Sequence, residues 1–125
     1  MRFYDTIALR IEGEATLSRP DSLENLANRL RAIFEKHGIL KAMVFGSFAR
    51  GEPSRRSDLD FLVVQHTQKR FLDRYDGIFA EITDMIPGRG VDLLIYTPEE
   101  LERMSHGPFV GRALKEGVVI YESEP

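Results

Sequence analysis

Apolar positions along this chain recur with two different periods, and the switches between them mark out its elements. From Asp21 to His37, the residues Leu23, Leu26, Ala27, Leu30, Ile33 and Phe34 fall at helical spacing on one face, with charges opposite. Asp21 and Glu24 form a capping-box pattern at the start, and Gly38 is placed to end the helix in the left-handed conformation. Leu40 to Phe45 is a short apolar run that reads as a strand ending at Gly46. The segment Ser47-Phe48-Ala49-Arg50 can begin a helical turn, before Gly51, Pro53 and Ser54 force a loop. Asp58 to Val64 is a second strand, and its unbroken Phe61-Leu62-Val63-Val64 run predicts burial on both faces. Gln68 to Ile86 carries Phe71, Leu72, Tyr75, Ile78, Phe79, Ile82, Met85 and Ile86 at helical spacing, which predicts one long helix ended by Pro87-Gly88 and Gly90. Val91 to Tyr96 is a third strand. Thr97-Pro98-Glu99-Glu100 then predicts a helix start, with Thr as cap, Pro in the first turn and Glu at the capping-box position. Gly107-Pro108 interrupts that helix, Phe109, Val110, Ala113 and Leu114 predict another closed by Gly117, and Val118 to Tyr121 reads as a last strand.

The segment before Asp21 is less regular. Ile7, Leu9 and Ile11 alternate with Ala8 and Arg10 as in a strand, while Phe3, Ile7 and Ile11 would equally suit one helical face. The predicted order is therefore helix, strand, strand, helix, strand, helix, helix, strand. That is an α/β fold, a small mixed sheet with helices packed on it. A chain of 125 residues fits one domain, 1–125, with a core over about 21–121 and residues 1–20 as an N-terminal extension without an assigned role.

Composition narrows the class. Hydrophobic residues make up 42% and charged ones 30%, a globular balance. The net charge of -3 argues against extended nucleic-acid binding, although Arg50, Arg55 and Arg56 make a local basic cluster. With no cysteine, disulfides, thiolate metal sites and cysteine nucleophiles are excluded. No apolar run approaches the ~20 residues needed to span a bilayer. The apolar part of the N-terminus carries acids, unlike a signal peptide, so a cytoplasmic protein is expected. His37, His66 and His106 are scattered without ligand spacing and read as surface residues.

The chemistry concentrates between Met43 and Val64. An apolar strand opening with two carboxylates, Asp58 and Asp60, places both on one face, because alternate strand side chains share a side. One aspartate at a strand start is ordinarily a solvated end; two of them just after a Gly-Ser turn suit a hard cation. Magnesium prefers oxygen donors and takes one or two carboxylates together with substrate phosphates. Asp92, near the start of the third strand, would complete a cluster of three if that strand lies beside the second. Like charges so placed repel one another unless a cation neutralises them. Gly46-Ser47, where a strand turns toward a helix, can bring backbone N–H groups and a hydroxyl to phosphate oxygens. Gly46 and Gly51 have Walker A spacing, but Glu52-Pro53 stands where Lys-Ser/Thr is needed, so a P-loop is excluded.

Together, GSFARG and SDLDFLVV resemble the signature of the nucleotidyltransferase superfamily that includes DNA polymerase β. The form with GSxARG and SDxD is most similar to the minimal nucleotidyltransferases of bacteria and archaea, and Gly46, Ser47, Ala49, Arg50, Gly51, Ser57, Asp58 and Asp60 match it position by position. Asp92, within GVDLLIY, matches the third acid, and the resemblance spans roughly residues 25 to 96. It implies magnesium-dependent transfer of a nucleoside monophosphate from a triphosphate to a hydroxyl. Asp58 and Asp60 would hold two magnesium ions, and Asp92 would help hold the catalytic ion and orient the acceptor. Gly46 and Ser47 would hold the β- and γ-phosphates, and Arg50 would neutralise triphosphate charge.

Minimal members of the family are often paired with a small helical HEPN toxin, which some of them adenylylate on a tyrosine. The resemblance thus implies an antitoxin that moves AMP from ATP to a partner toxin, and an oligomeric assembly is compatible with it. Two alternatives stand beside it: nucleotide transfer to a small molecule, for which the expected extra acceptor domain is not evident, and a non-catalytic antitoxin that neutralises by binding.

Overall fold

The computed structural model describes residues 23–46 and 58–124. The segment before Asp21, whose pattern suits a strand or a helical face, the Asp21 cap and the turn and loop from Ser47 to Ser57 lie outside the described residues. The first helix, α1 (Leu23–Lys36), buries Leu23, Leu26, Ala27, Leu30 and Phe34, the face that the spacing picks out. Gly38, at φ 66°, ends it as expected for a left-handed closing residue.

Four strands form one sheet in the order β3-β2-β1-β4. β1 (Ile39–Phe45) runs antiparallel to both β2 (Leu59–Gln65) and β4 (Val118–Glu122). β2 runs parallel to β3 (Val91–Tyr96), so the sheet is mixed, as the element order predicts. A parallel neighbour needs a crossover connection, and the segment between β2 and β3 supplies it.

That crossover corrects one expectation. The single helix expected over Gln68 to Ile86 is instead a 3-10 turn (Phe71–Tyr75) followed by a separate helix, α2 (Ile78–Asp84). The break falls at Gly77, at φ 82°, a backbone conformation that a helix interior excludes. It also rotates the two halves relative to one another. Ile78, Ile82 and Ile86 reach the core with Tyr75 packed against it, whereas Phe71, Leu72, Phe79 and Met85 stay exposed. In place of an apolar residue, the turn sends Arg74 inward. Its guanidinium donates to the Ile95 carbonyl at 3.0 Å and, in a forked pair, to both Glu100 oxygens at 2.6 and 3.0 Å.

Helices cover both faces of the sheet. α1 and α2 lie on one face, where Leu30, Phe34 and Ile82 pack with Leu59, Phe61 and Val63 of β2. On the other face are α3 (Pro98–Met104) and α4 (Pro108–Glu116), whose Leu101 and Ala113 pack with Leu62, Val64, Phe45 and Tyr96. β2 is thus buried on both sides, as its continuous apolar run requires. Thr97 and Glu100 form the predicted capping box of α3, and Gly117 closes α4. Among the described residues, no helix is long and apolar enough to cross a membrane.

Candidate active site

Asp60 is the second residue of β2, and the strand register determines its neighbours. On one side it is paired with Phe45, the last residue of β1; on the other it is paired with Asp92 in β3. Paired residues of adjacent strands project to the same side of a sheet, so Asp60 and Asp92 stand side by side. Asp58 precedes β2 and has the same parity as Asp60, Leu62 and Val64, which places the acids on the face covered by α3 and α4. The Leu59 N–H donates to the Gly90 carbonyl at 2.9 Å and ties the starts of β2 and β3 together at this point. Asp58 and Asp92 are exposed and Asp60 is half-buried, so the cluster opens to solvent.

Electrostatics follow from that crowding. Burial, the hydrogen bond with Asp92 and the negative charges of Asp92 and Asp58 together push the Asp60 carboxyl from 3.8 up to about 6. A hydrogen bond between two carboxyl groups holds a proton between them, since two carboxylates side by side repel. A cation would relieve the same repulsion.

Two glycines make room for the acids. Gly46, at φ 80°, presents its open side to Asp60: a Cβ built there would lie 2.6 Å from Asp60 Oδ2. A Cβ on Gly90 would lie 2.5 Å from Asp58 Oδ1 and 3.0 Å from its Cγ. Gly46, expected to face phosphate, and Gly90, expected to end a helix, each stand against a carboxylate. The signal for Gly90 was its position two residues before Asp92, but only the β2–β3 pairing brings it to Asp58. Gly90→Ala is therefore expected to displace the Asp58 carboxylate and lower activity at least ~10-fold, with a stability loss of no more than about 1–2 kcal/mol. Gly46→Ala adds left-handed backbone strain of about 1–2 kcal/mol to its clash with Asp60. Parallel activity and thermal-unfolding measurements on the two variants separate the effects.

The donor set suits a hard cation that keeps part of its water and phosphate shell. All three side chains are carboxylates, two of them open to solvent, with no sulfur or imidazole among them. Among the described residues, no group of three or more histidine, aspartate or glutamate side chains is arranged so that it could hold a metal ion. The arrangement fits magnesium shared between carboxylates and substrate phosphates rather than an all-protein cage. Of the other site residues expected from the sequence, Gly46 stands beside Asp60, while Ser47 and Arg50 lie outside the described residues.

Comparison with known proteins bears on the family and the fold. Residues 28–125 match the family model described as "Polymerase beta, Nucleotidyltransferase". Over 75 residues, covering 60% of this chain and 78% of the relative, the chain is 33% identical to a Methanocaldococcus jannaschii protein named "Putative protein adenylyltransferase MJ0435". Among solved structures, it resembles a chain from "Crystal structure of the toxin-antitoxin with AMP-PNP", with a TM-score of 0.60, 17% identity and coverage of 78% of this chain and 74% of that one. A structure titled "Crystal structure of a putative nucleotidyltransferase from Sulfolobus solfataricus at 1.40 A resolution" aligns at a TM-score of 0.49 and 21% identity, covering 80% of this chain and 83% of that one. The four-stranded mixed sheet, the helices on both its faces and the match over most of the length lead to one conclusion: the chain belongs to the polymerase β nucleotidyltransferase family and is a nucleotidyltransferase.

Proposed function

We propose that this protein is a magnesium-dependent adenylyltransferase that moves AMP from ATP to a hydroxyl, a tyrosine hydroxyl first among candidates, of a partner HEPN-type toxin, and so acts as its antitoxin. The observation that carries the reading is the pairing of Asp60 with Asp92 across β2 and β3, with Asp58 bearing on the same point. The names of similar proteins support the finer parts: one is named for protein adenylylation, and one structure is titled as a toxin–antitoxin with an ATP analogue. We take residues 1–125 as one catalytic domain with its core over about 21–121, working in the cytoplasm.

In this reading Asp58 and Asp60 hold two magnesium ions, and Asp92 shares in holding the catalytic one. Held by these carboxylates, magnesium would supply positive charge against the triphosphate and the oxygens at which bonds form and break. Gly46 and Ser47 hold the β- and γ-phosphates, with Arg50 adding positive charge. Asp92, on the edge strand β3, orients the acceptor hydroxyl. The acceptor oxygen attacks the α-phosphorus, the bond between the α-phosphorus and the bridging oxygen breaks, and pyrophosphate leaves; the hydroxyl proton passes to Asp92 or to water. Positioning and charge neutralisation account for most of the rate.

The test is incubation of the protein and its co-purified partner with magnesium and ATP labelled on either the α- or the γ-phosphate. Only the α-label is expected to become attached to the partner, on tyrosine, and Asp58→Ala is expected to abolish it. Binding of ATP without label on any protein would refute protein adenylylation. Full neutralisation of the toxin by Asp58→Ala and Asp92→Ala variants would establish an antitoxin that acts by binding alone.

A further inference from the structure

Phe109, in the first turn of α4, is the most exposed aromatic side chain among the described residues, at 57%. Its helix has a buried side, on which Val110 and Ala113 face the sheet, yet Phe109 does not join it. Instead its ring stands edge-to-face with Phe45, 5.7 Å between centroids at 83°. Phe45 is the last residue of β1, immediately before Gly46, and is paired directly with Asp60. One ring contact and one cross-strand step of ~5 Å place the Phe109 ring on the order of 10 Å from the Asp60 carboxylate, on the same face of the sheet. The contact with Phe45 braces one edge of the ring and leaves more than half of the residue's surface uncovered. A rigid, half-open aromatic ring beside a cluster of acids is a platform for a flat ligand.

The strand order indicates which ligand. Along the sheet, β1 and β3 flank β2, so Phe45 and Asp92 stand on opposite sides of Asp60. In the proposed function, which this inference rests on, the acceptor hydroxyl approaches at Asp92 and the triphosphate lies toward Gly46. Phe109 therefore stands on the nucleotide's side of the acids. We infer that the Phe109 ring, braced by Phe45, stacks on the nucleobase of the bound nucleoside triphosphate and holds its α-phosphate over Asp58 and Asp60. Stacking recognises any base by its π-face, so Phe109 supplies affinity while leaving the choice among bases to other groups.

The test compares dissociation constants of ATP and of inorganic tripolyphosphate, each with magnesium, for the wild type, Phe109→Ala and Phe109→Trp. Tripolyphosphate offers a chain of three phosphates without the ribose and base. Phe109→Ala is expected to weaken ATP binding roughly 5- to 150-fold, the range for loss of one base–aromatic stack, while tripolyphosphate binding stays within about twofold. Phe109→Trp is expected to bind ATP about as tightly as the wild type or more tightly. Unchanged ATP binding in Phe109→Ala overturns the inference, as does an equal loss for both ligands, which would mean that the ring only supports the site's shape. Either result leaves the nucleotidyltransferase site standing. A wild-type protein that binds neither ligand refutes the site and the inference together.

Discussion

Asp60→Asn is expected to abolish nucleotidyl transfer, by a factor on the order of 10³ or more, while making the metal-free protein more stable at pH 7. The activity loss follows because charge stabilisation by a bound metal is worth several kcal/mol of barrier, and each 1.4 kcal/mol is about tenfold in rate. The gain in stability follows from the direction of the Asp60 shift. Its carboxyl is raised in the folded protein to about 6, from 3.8. A raised acid favours folding below its unfolded pKa, and that contribution is lost as pH rises through the folded value. The metal-free protein should therefore lose stability between pH ~4 and ~6, and the asparagine variant should not. Because Asp60 is only half-buried, screening holds the effect to about 1 kcal/mol, a few degrees in Tm. Melting curves at pH 5 and 7.5, with and without magnesium, test this. Magnesium should raise the Tm of the wild type at pH 7.5 and leave the variant nearly unchanged. A cation bound at Asp60 favours its ionised form, so the pH below which wild-type transfer falls should lie beneath the metal-free value of about 6 and move lower as magnesium is raised.

Glu100→Ala is expected to cost about 3–5 kcal/mol, lowering Tm on the order of 10–20 °C, far from the acids. Arg74 is almost fully buried, with 6% of its side chain exposed against 27% for Glu100. Removing the carboxylate thus strands a buried guanidinium and also takes away the capping-box acceptor for the Thr97 N–H. Arg74→Met should cost less, because Glu100 can turn toward water and the methionine stem fills the space. If Arg74→Met proves the more damaging change, buried charge is not the controlling effect. The pair also has a pH signature. The Arg74 hydrogen bonds, then the Thr97 backbone N–H, hold Glu100 down to about 2 from 4.5. The stabilisation from a depressed acid is complete above the unfolded value and is lost as pH falls from about 4.5 toward 2. The Glu100 share of the stability lost in that window should be absent in Glu100→Ala, leaving a shallower fall to which Glu81, also held low by Lys36 and His37, still contributes.

Much of the fold was legible because most of its elements carry their own start and stop signals. The Thr97-Pro98 cap, the Gly38 and Gly117 ends and the apolar strands all placed elements within a residue or two of their observed bounds. The segment from Gln68 to Ile86 was not legible in the same way. Its apolar spacing fits one helix and outweighs the Asp76-Gly77 turn signal, and nothing local says that Arg74 turns inward. That outcome depends on Ile95 and Glu100, which lie 21 and 26 residues further along the chain.

What the sequence by itself determined is which candidate groups are present: two carboxylates of one parity at the head of a buried strand, a third in GVDLLIY and a Gly-Ser pair before them. Residue type and alternation suffice for that, since they are properties of a single strand. Only the tertiary structure decided how the acids meet. The parallel pairing of β2 with β3 sets Asp60 beside Asp92, and the antiparallel pairing with β1 sets it beside Phe45 and brings Phe109 near. The same pairings give Gly46 and Gly90 their purpose, since a methyl group at either would occupy the space of a carboxylate. The physical reason is that strand register is a relation between segments far apart in the chain, set by how two hydrophobic faces pack, and no one segment carries it.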